Sequence, residues 1–205
     1  MKKVFVLAVS AMLSIVATAE EFKGKAADDS ISGTNWLRFK SHTSFPNFVR
    51  FQKNYQFPQA HATQWMGKFF EQNGFGVTLS KSSEDGLGFV HYRYHQTFKN
   101  IPIELTQYIV HTQNNQVVMM NGEFTDQAPN TTNASIDEPT ALQTALQFVG
   151  ADTYKWELPS HEEGHDHAHH HHAHGSPADY NPTGELVIVP VAGQLENDFR
   201  LAYKF

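Results

Sequence analysis

The chain has no cysteine. That excludes a disulfide framework, and it excludes lipoprotein attachment, which needs a cysteine just after the leader is cut. Nor is there an excess of basic charge: 15 Lys and Arg against 21 Asp and Glu give a formal net charge of −6. Nothing in such a balance favours DNA, RNA or an anionic lipid surface as a partner. Long apolar runs are also missing, with one exception. Val4 to Val16 is apolar, follows Lys2 and Lys3, and leads into Ala17-Thr18-Ala19. This is the pattern of a secretory signal peptide, and it places the cut between Ala19 and Glu20. The run is too short to be preferred as a permanent span. Loss of the two leader lysines takes the net charge to −8, and no membrane association is expected once the leader is gone. The expected destination is extracellular or periplasmic.

What is present is aromatic. Phe alone accounts for 16 residues, so an apolar core is within reach of a chain this long. Residues 20–50 are polar with few periodic features and are expected as an extended entry segment. From Phe57-Pro58 onward Ala62, Trp65, Met66, Phe69 and Phe70 recur at three- and four-residue spacing. The spacing predicts a helix with one apolar face, Pro58 in its first turn and Gly74 just past its end.

A period-two run follows, in which Phe89, His91, Arg93 and His95 alternate with Val90, Tyr92 and Tyr94. It predicts a strand. Ile103 to Thr112 and Gln116 to Phe124 are expected as two more, joined by a tight hairpin at Asn114-Asn115. His91 and His95 share one strand face and could bracket a metal, but no third ligand is evident, and a partly exposed face is the simpler reading. The composition changes over Thr125 to Ser135, which marks a boundary between two units. Asp137-Glu138-Pro139 opens a second helix that carries Ala141, Leu142, Ala145, Leu146 and Val149 and stops at Gly150. Leu186 to Val191 and Phe199 to Phe205 follow as strands. The fold class expected is α+β, with two successive units, each a helix packed on an antiparallel sheet. The chain stops inside an apolar strand, Leu201 to Phe205, and is expected to be a fragment of a longer precursor.

Gly88-Phe89-Val90-His91-Tyr92-Arg93-Tyr94-His95-Gln96-Thr97-Phe98-Lys99-Asn100-Ile101-Pro102-Ile103-Glu104 resembles the fungalysin/thermolysin propeptide domain, whose pattern is Arg-Tyr-x-Gln-x-Tyr/Phe followed closely by Ile-Pro-Val. Tyr108-Ile109-Val110-His111 and Val117-Val118-Met119-Met120-Asn121-Gly122 resemble its closing hairpin. Leu105 stands where family members often have Gly. The second unit resembles a PepSY-type propeptide domain, through Glu138-Pro139-Thr140-Ala141-Leu142, Gly184 to Pro190 and Arg200 to Phe205. These resemblances divide the chain into a signal peptide at 1–19, an entry segment at 20–50, a first propeptide domain at 51–125, a linker at 126–136 and a second, truncated domain at 137–205. They imply the non-catalytic pro-region of a secreted zinc metalloprotease, which assists folding of an attached catalytic domain and inhibits it. That catalytic domain is the partner they imply, on the same precursor chain. Two alternatives stay open: a free-standing secreted inhibitor or binding module, and an extracellular metal-binding protein.

His161-Glu162-Glu163-Gly164-His165 matches His-Glu-x-x-His, the metalloprotease motif. Its chemistry needs both histidines on one face of a stable helix. Gly164 lies inside the motif, Pro159 precedes it, and a polar tract follows, so no amphipathic helix supports it. Glu185 stands at the distance expected of a third ligand, but it opens a β-type run. No catalytic residue is therefore expected in this chain, and no cofactor is required. The tract as a whole, His161, His165, His167, His169, His170, His171, His172 and His174 within a loop at 160–176, is dense in imidazole. Weak binding of Zn, Ni or Cu is the chemistry it offers; an inert loop of drifted composition is the alternative.

Overall fold

The computed structural model describes residues 19–40, 43–70, 74–127, 129–158, 180–191 and 198–205. The segment expected as a signal peptide, apart from Ala19, and the histidine tract lie outside the described residues. The order of elements is β1 (Glu20–Lys23), α1 (Lys25–Ser30), β2 (Thr34–Phe39), β3 (Pro46–Phe51), a 3-10 turn (Gln59–His61), α2 (Ala62–Gly67), β4 (Phe75–Glu84), β5 (Phe89–Phe98), β6 (Ile101–Pro102), β7 (Gln107–Gln113), β8 (Gln116–Glu123), α3 (Glu138–Val149), a second 3-10 turn (Lys155–Glu157), β9 (Glu185–Pro190) and β10 (Phe199–Lys204). The result is mixed α and β, dominated by antiparallel sheet with a few short helices.

The main sheet runs β1-β2-β3-β8-β7-β5-β4, with β6 beside β5, and β9 and β10 form a separate pair. Residues 20–50 are therefore not a plain entry segment. They contribute three strands and a helix, and β3 bonds to β8 with Val49 opposite Met120. The reason is burial: Leu37, Phe45 and Val49 are all 2 % exposed or less, and apolar surface of that size is stabilising only inside a packed sheet. Phe45 sits among Trp65, Phe69, Phe70, Tyr108 and Phe124, with ring centroids 4.8–6.3 Å away.

The helix expected from Pro58 to Gly74 is shorter than its periodicity implies. Among the described residues of this stretch only α2 is α-helical, and Phe69 and Phe70 follow in turns closed by N–H bonds to Met66 and Gly67 three residues back. Gly67, with its low helix propensity, lies at the break. The apolar face nevertheless serves as expected: Ala62, Met66 and Phe70 are buried against the sheet, and Trp65 and Phe69 pack on them.

The meander is as expected in outline. Asn114 and Asn115, at φ 51° and 59°, make the tight turn between β7 and β8. The expected strand from Ile103 to Thr112 is broken, because Leu105 takes a left-handed φ of 64° and the chain leaves β5's edge between β6 and β7. At that excursion Ile103 meets Ile188 of β9 in a parallel bridge, and the Glu104 N–H donates to the Ile188 carbonyl at 2.8 Å. Ile188 and Phe199 belong to the same apolar cluster as the main sheet. The strand β4, which the sequence pattern did not announce, forms the other edge.

In α3 the expected ends are present. The Thr140 N–H donates to Asp137 Oδ1 at 3.0 Å, and Gly150 closes the helix at φ 64°. Ala141, Leu142, Ala145 and Leu146 are half-buried, but Val149 is exposed and Phe148 is 93 % exposed. Donation from the Thr140 side chain and backbone holds the Asp137 carboxyl below its ordinary range. The folded pKa being the lower one, the cap is fully formed above the unfolded value of about 4 and is lost as pH falls through the folded value. A pH titration of the Thr140 amide resonance is expected to show this loss on acidification. Asp137→Asn is expected to keep the cap and abolish the titration.

Candidate functional site

Residues of the β5 motif divide between the two faces of the sheet. Tyr94, Gln96 and Phe98 point into the core and are at most 7 % exposed. Gln96 is fully buried; its Nε2 donates to the Thr125 carbonyl at 2.6 Å, and its Oε1 accepts from the Thr125 N–H at 2.9 Å. The amide thus ties the end of the meander back to β5. The Thr106 hydroxyl accepts from the Gln96 N–H at 3.2 Å and donates to the Ile103 carbonyl at 2.6 Å, which holds the excursion in shape. Lys99 and Asn100, both at positive φ, turn the chain so that Ile101-Pro102 pairs with Thr97 and Phe98. These residues of the motif are spent on packing, on backbone hydrogen bonds and on the turn into β6.

The opposite face is polar. Arg93 donates through Nη1 to Ser83 Oγ at 3.0 Å. His95 Nδ1 donates to the Thr106 carbonyl at 2.8 Å. His91 and His95 are therefore not brought together. The partner of His91 is His111, directly opposite on β7, with the two Nδ1 atoms 2.7 Å apart. Asp85 Oδ2 lies 3.1 Å from His91 Nε2, and Asn121 Oδ1 lies 2.6 Å from His111 Nε2. The Phe89 and Leu87 N–H groups, with His91, hold the Asp85 carboxyl below its usual range. Burial pushes His111 down, despite its bond to Asn121, and the nearby His91 and Arg93 charges add to this.

Asp85, His91 and His111 line a cleft of about 540 Å³ whose walls also include Arg50, Lys53, Tyr55, Leu87, Phe89 and Met119. Leu87 is 79 % exposed at its rim. The sequence reading missed His111 and Asp85, because cross-strand register, which pairs residues twenty positions apart, is not legible in a one-strand pattern. The Asn114-Asn115 turn was the available signal: counting back from it places His111 near the β7 strand's middle.

Of the residues singled out from the sequence, Glu20 begins β1 and pairs with Phe39. Glu185 begins β9, a strand, and not a helix. The tract residues His161 to His174 lie outside the described residues. Among the described residues, no three or more His, Asp or Glu side chains converge as a metal centre, and no helix is long and apolar enough to cross a membrane.

Residues 76–124, from β4 through the end of β8, match the family model described as the Fungalysin/Thermolysin Propeptide Motif. No curated protein and no solved structure matches the chain.

Proposed function

We propose that this chain is the non-catalytic pro-region of a secreted zinc metalloprotease precursor, acting as folding assistant and inhibitor of the attached catalytic domain. The observation that carries the reading is the propeptide motif at 76–124, whose buried Tyr94, Gln96 and Phe98 organise the sheet. A pro-region needs no catalytic residue of its own. Held on the same chain as its partner, it meets the catalytic cleft at high effective concentration, so modest affinity suffices to occlude it. Export through the leader ending at Ala19, and a second, PepSY-like unit at 137–205, belong to the same proposal. So does weak Zn, Ni or Cu binding by the histidine tract.

Two measurements test it together. The reading frame beyond Phe205 is expected to continue into a second His-Glu-x-x-His on an apolar helix with a downstream glutamate. The purified chain from Glu20 is expected to inhibit that catalytic domain in trans and to cleave no casein itself. Zinc-dependent casein cleavage by the purified chain, abolished by Glu162→Gln, would overturn the reading. A stop codon just after Phe205 would leave a free-standing inhibitor if a zinc protease is still inhibited, and would sink the proposal if none is.

A further inference from the structure

The two-histidine cleft has a proton inventory that points to a cation. His91 Nε2 faces a carboxylate oxygen of Asp85 at 3.1 Å, and His111 Nε2 faces the side-chain oxygen of Asn121 at 2.6 Å. The Asp85 carboxylate calls for an N–H on His91 Nε2, and with Asn121 turned to present its Oδ1 the same holds for His111, so that in this arrangement both Nε2 atoms are donors. Both Nδ1 atoms are then bare lone pairs, and they are aimed at each other across 2.7 Å. Two lone pairs at that distance repel unless a positive species lies between them. A proton is one such species; a metal ion is the other. Metal-bound histidine usually has its second ring nitrogen held by a carboxylate or a carbonyl oxygen, and Asp85 and Asn121 supply one of each.

We propose that His91 and His111 form a two-imidazole site for a late first-row divalent ion of the zinc, nickel or copper class, reached through the cleft. The proposal stands on this geometry and is independent of the pro-region reading. Neutral imidazole is a suitable ligand for these ions. Metal–nitrogen bonds of about 2.0–2.1 Å at a tetrahedral angle set the two Nδ1 atoms about 3.3 Å apart, so the rings need to part by only about 0.6 Å. The ion displaces the shared proton to solvent, and water completes its coordination. The charged groups around the pair are Asp85 from the β4–β5 turn and Arg93 on β5, with Arg50 and Lys53 in the wall of the same cleft. Asp85 favours the ion, and the basic groups oppose it. With no third carboxylate or imidazole converging among the described residues, the site is an exchangeable one.

The test is thermal unfolding of the whole chain with and without Zn²⁺, beside a companion in which the eight tract histidines from His161 to His174 are replaced by asparagine. A folded site raises Tm by about 5–10 °C at a hundredfold excess of ion over its dissociation constant. We expect that rise in both chains, and its loss in His91→Gln and His111→Gln. A rise that survives both substitutions, a rise that vanishes with the tract, or no rise at all overturns the proposal. Should the glutamine variants fail to fold, imidazole ¹⁵N resonances in the companion chain decide the matter. Zn²⁺-dependent shifts at both His91 and His111 support the site, and their absence means that the pair holds a proton only.

Discussion

Phe45→Ala is expected to destabilise the protein by about 3–5 kcal/mol, the usual cost of emptying a buried phenylalanine site. The ring is 2 % exposed and touches aromatic side chains from α2, from the turns after it, from β7 and from the segment after β8. No single neighbour can move into the space without breaking contacts elsewhere, so the cavity stays largely open. Against a typical total of about 5–15 kcal/mol, such a loss leaves a marginal fold. Urea unfolding measures it, with Phe48→Ala as the comparison. Phe48 lies on the other face, half-buried and against Trp36 at 4.8 Å, and its removal is expected to cost less. An effect below about 1 kcal/mol for Phe45→Ala would mean that residues 20–50 are not built into the sheet.

Gln96→Leu is expected to cost about 2–4 kcal/mol, although leucine is apolar and similar in size. The substitution removes both bonds to the buried Thr125, and losing one side of a buried hydrogen bond costs about 1–3 kcal/mol. Gln96→Glu should be at least as damaging: a carboxylate cannot donate to the Thr125 carbonyl and would be charged where no water reaches it. Hydrogen exchange at the Thr125 amide separates this from a general loss of packing. Exchange there should accelerate well beyond that at Val110, in the same core. Equal acceleration at both would show that the clamp has no local role.

Both residues show where local pattern stops being informative. Gln96 continues the alternation of Val90, Tyr92 and Tyr94, so the face it shares was legible, but that this face is the buried one came from the structure. Its partner was not legible, since Thr125 is brought to it only when β8 completes the meander. Phe45 lies in a stretch without regular alternation, because β2 and β3 carry register shifts at Thr34/Trp36 and Arg38/Phe39. Such irregularities erase the signal that a period-two reading depends on. The break in the strand expected from Ile103 to Thr112 had a tertiary cause as well. Thr106 and Ile188 offer the excursion hydrogen bonds that an unbroken strand would have given up.

The sequence by itself determined the strand β5, the Asn114-Asn115 turn, the capped helix α3, the aromatic face around α2 and the propeptide motif. All of these rest on periodicity, on left-handed turn residues or on side-chain caps, and they act over a few positions. Tertiary structure alone decided that residues 20–50 extend the sheet, that β9 joins the same core through Ile103, and that His91 faces His111 rather than pairing with His95. Each of those depends on which strands become neighbours. That choice is made by the burial of apolar surface contributed from distant parts of the chain, and no local window of sequence contains it.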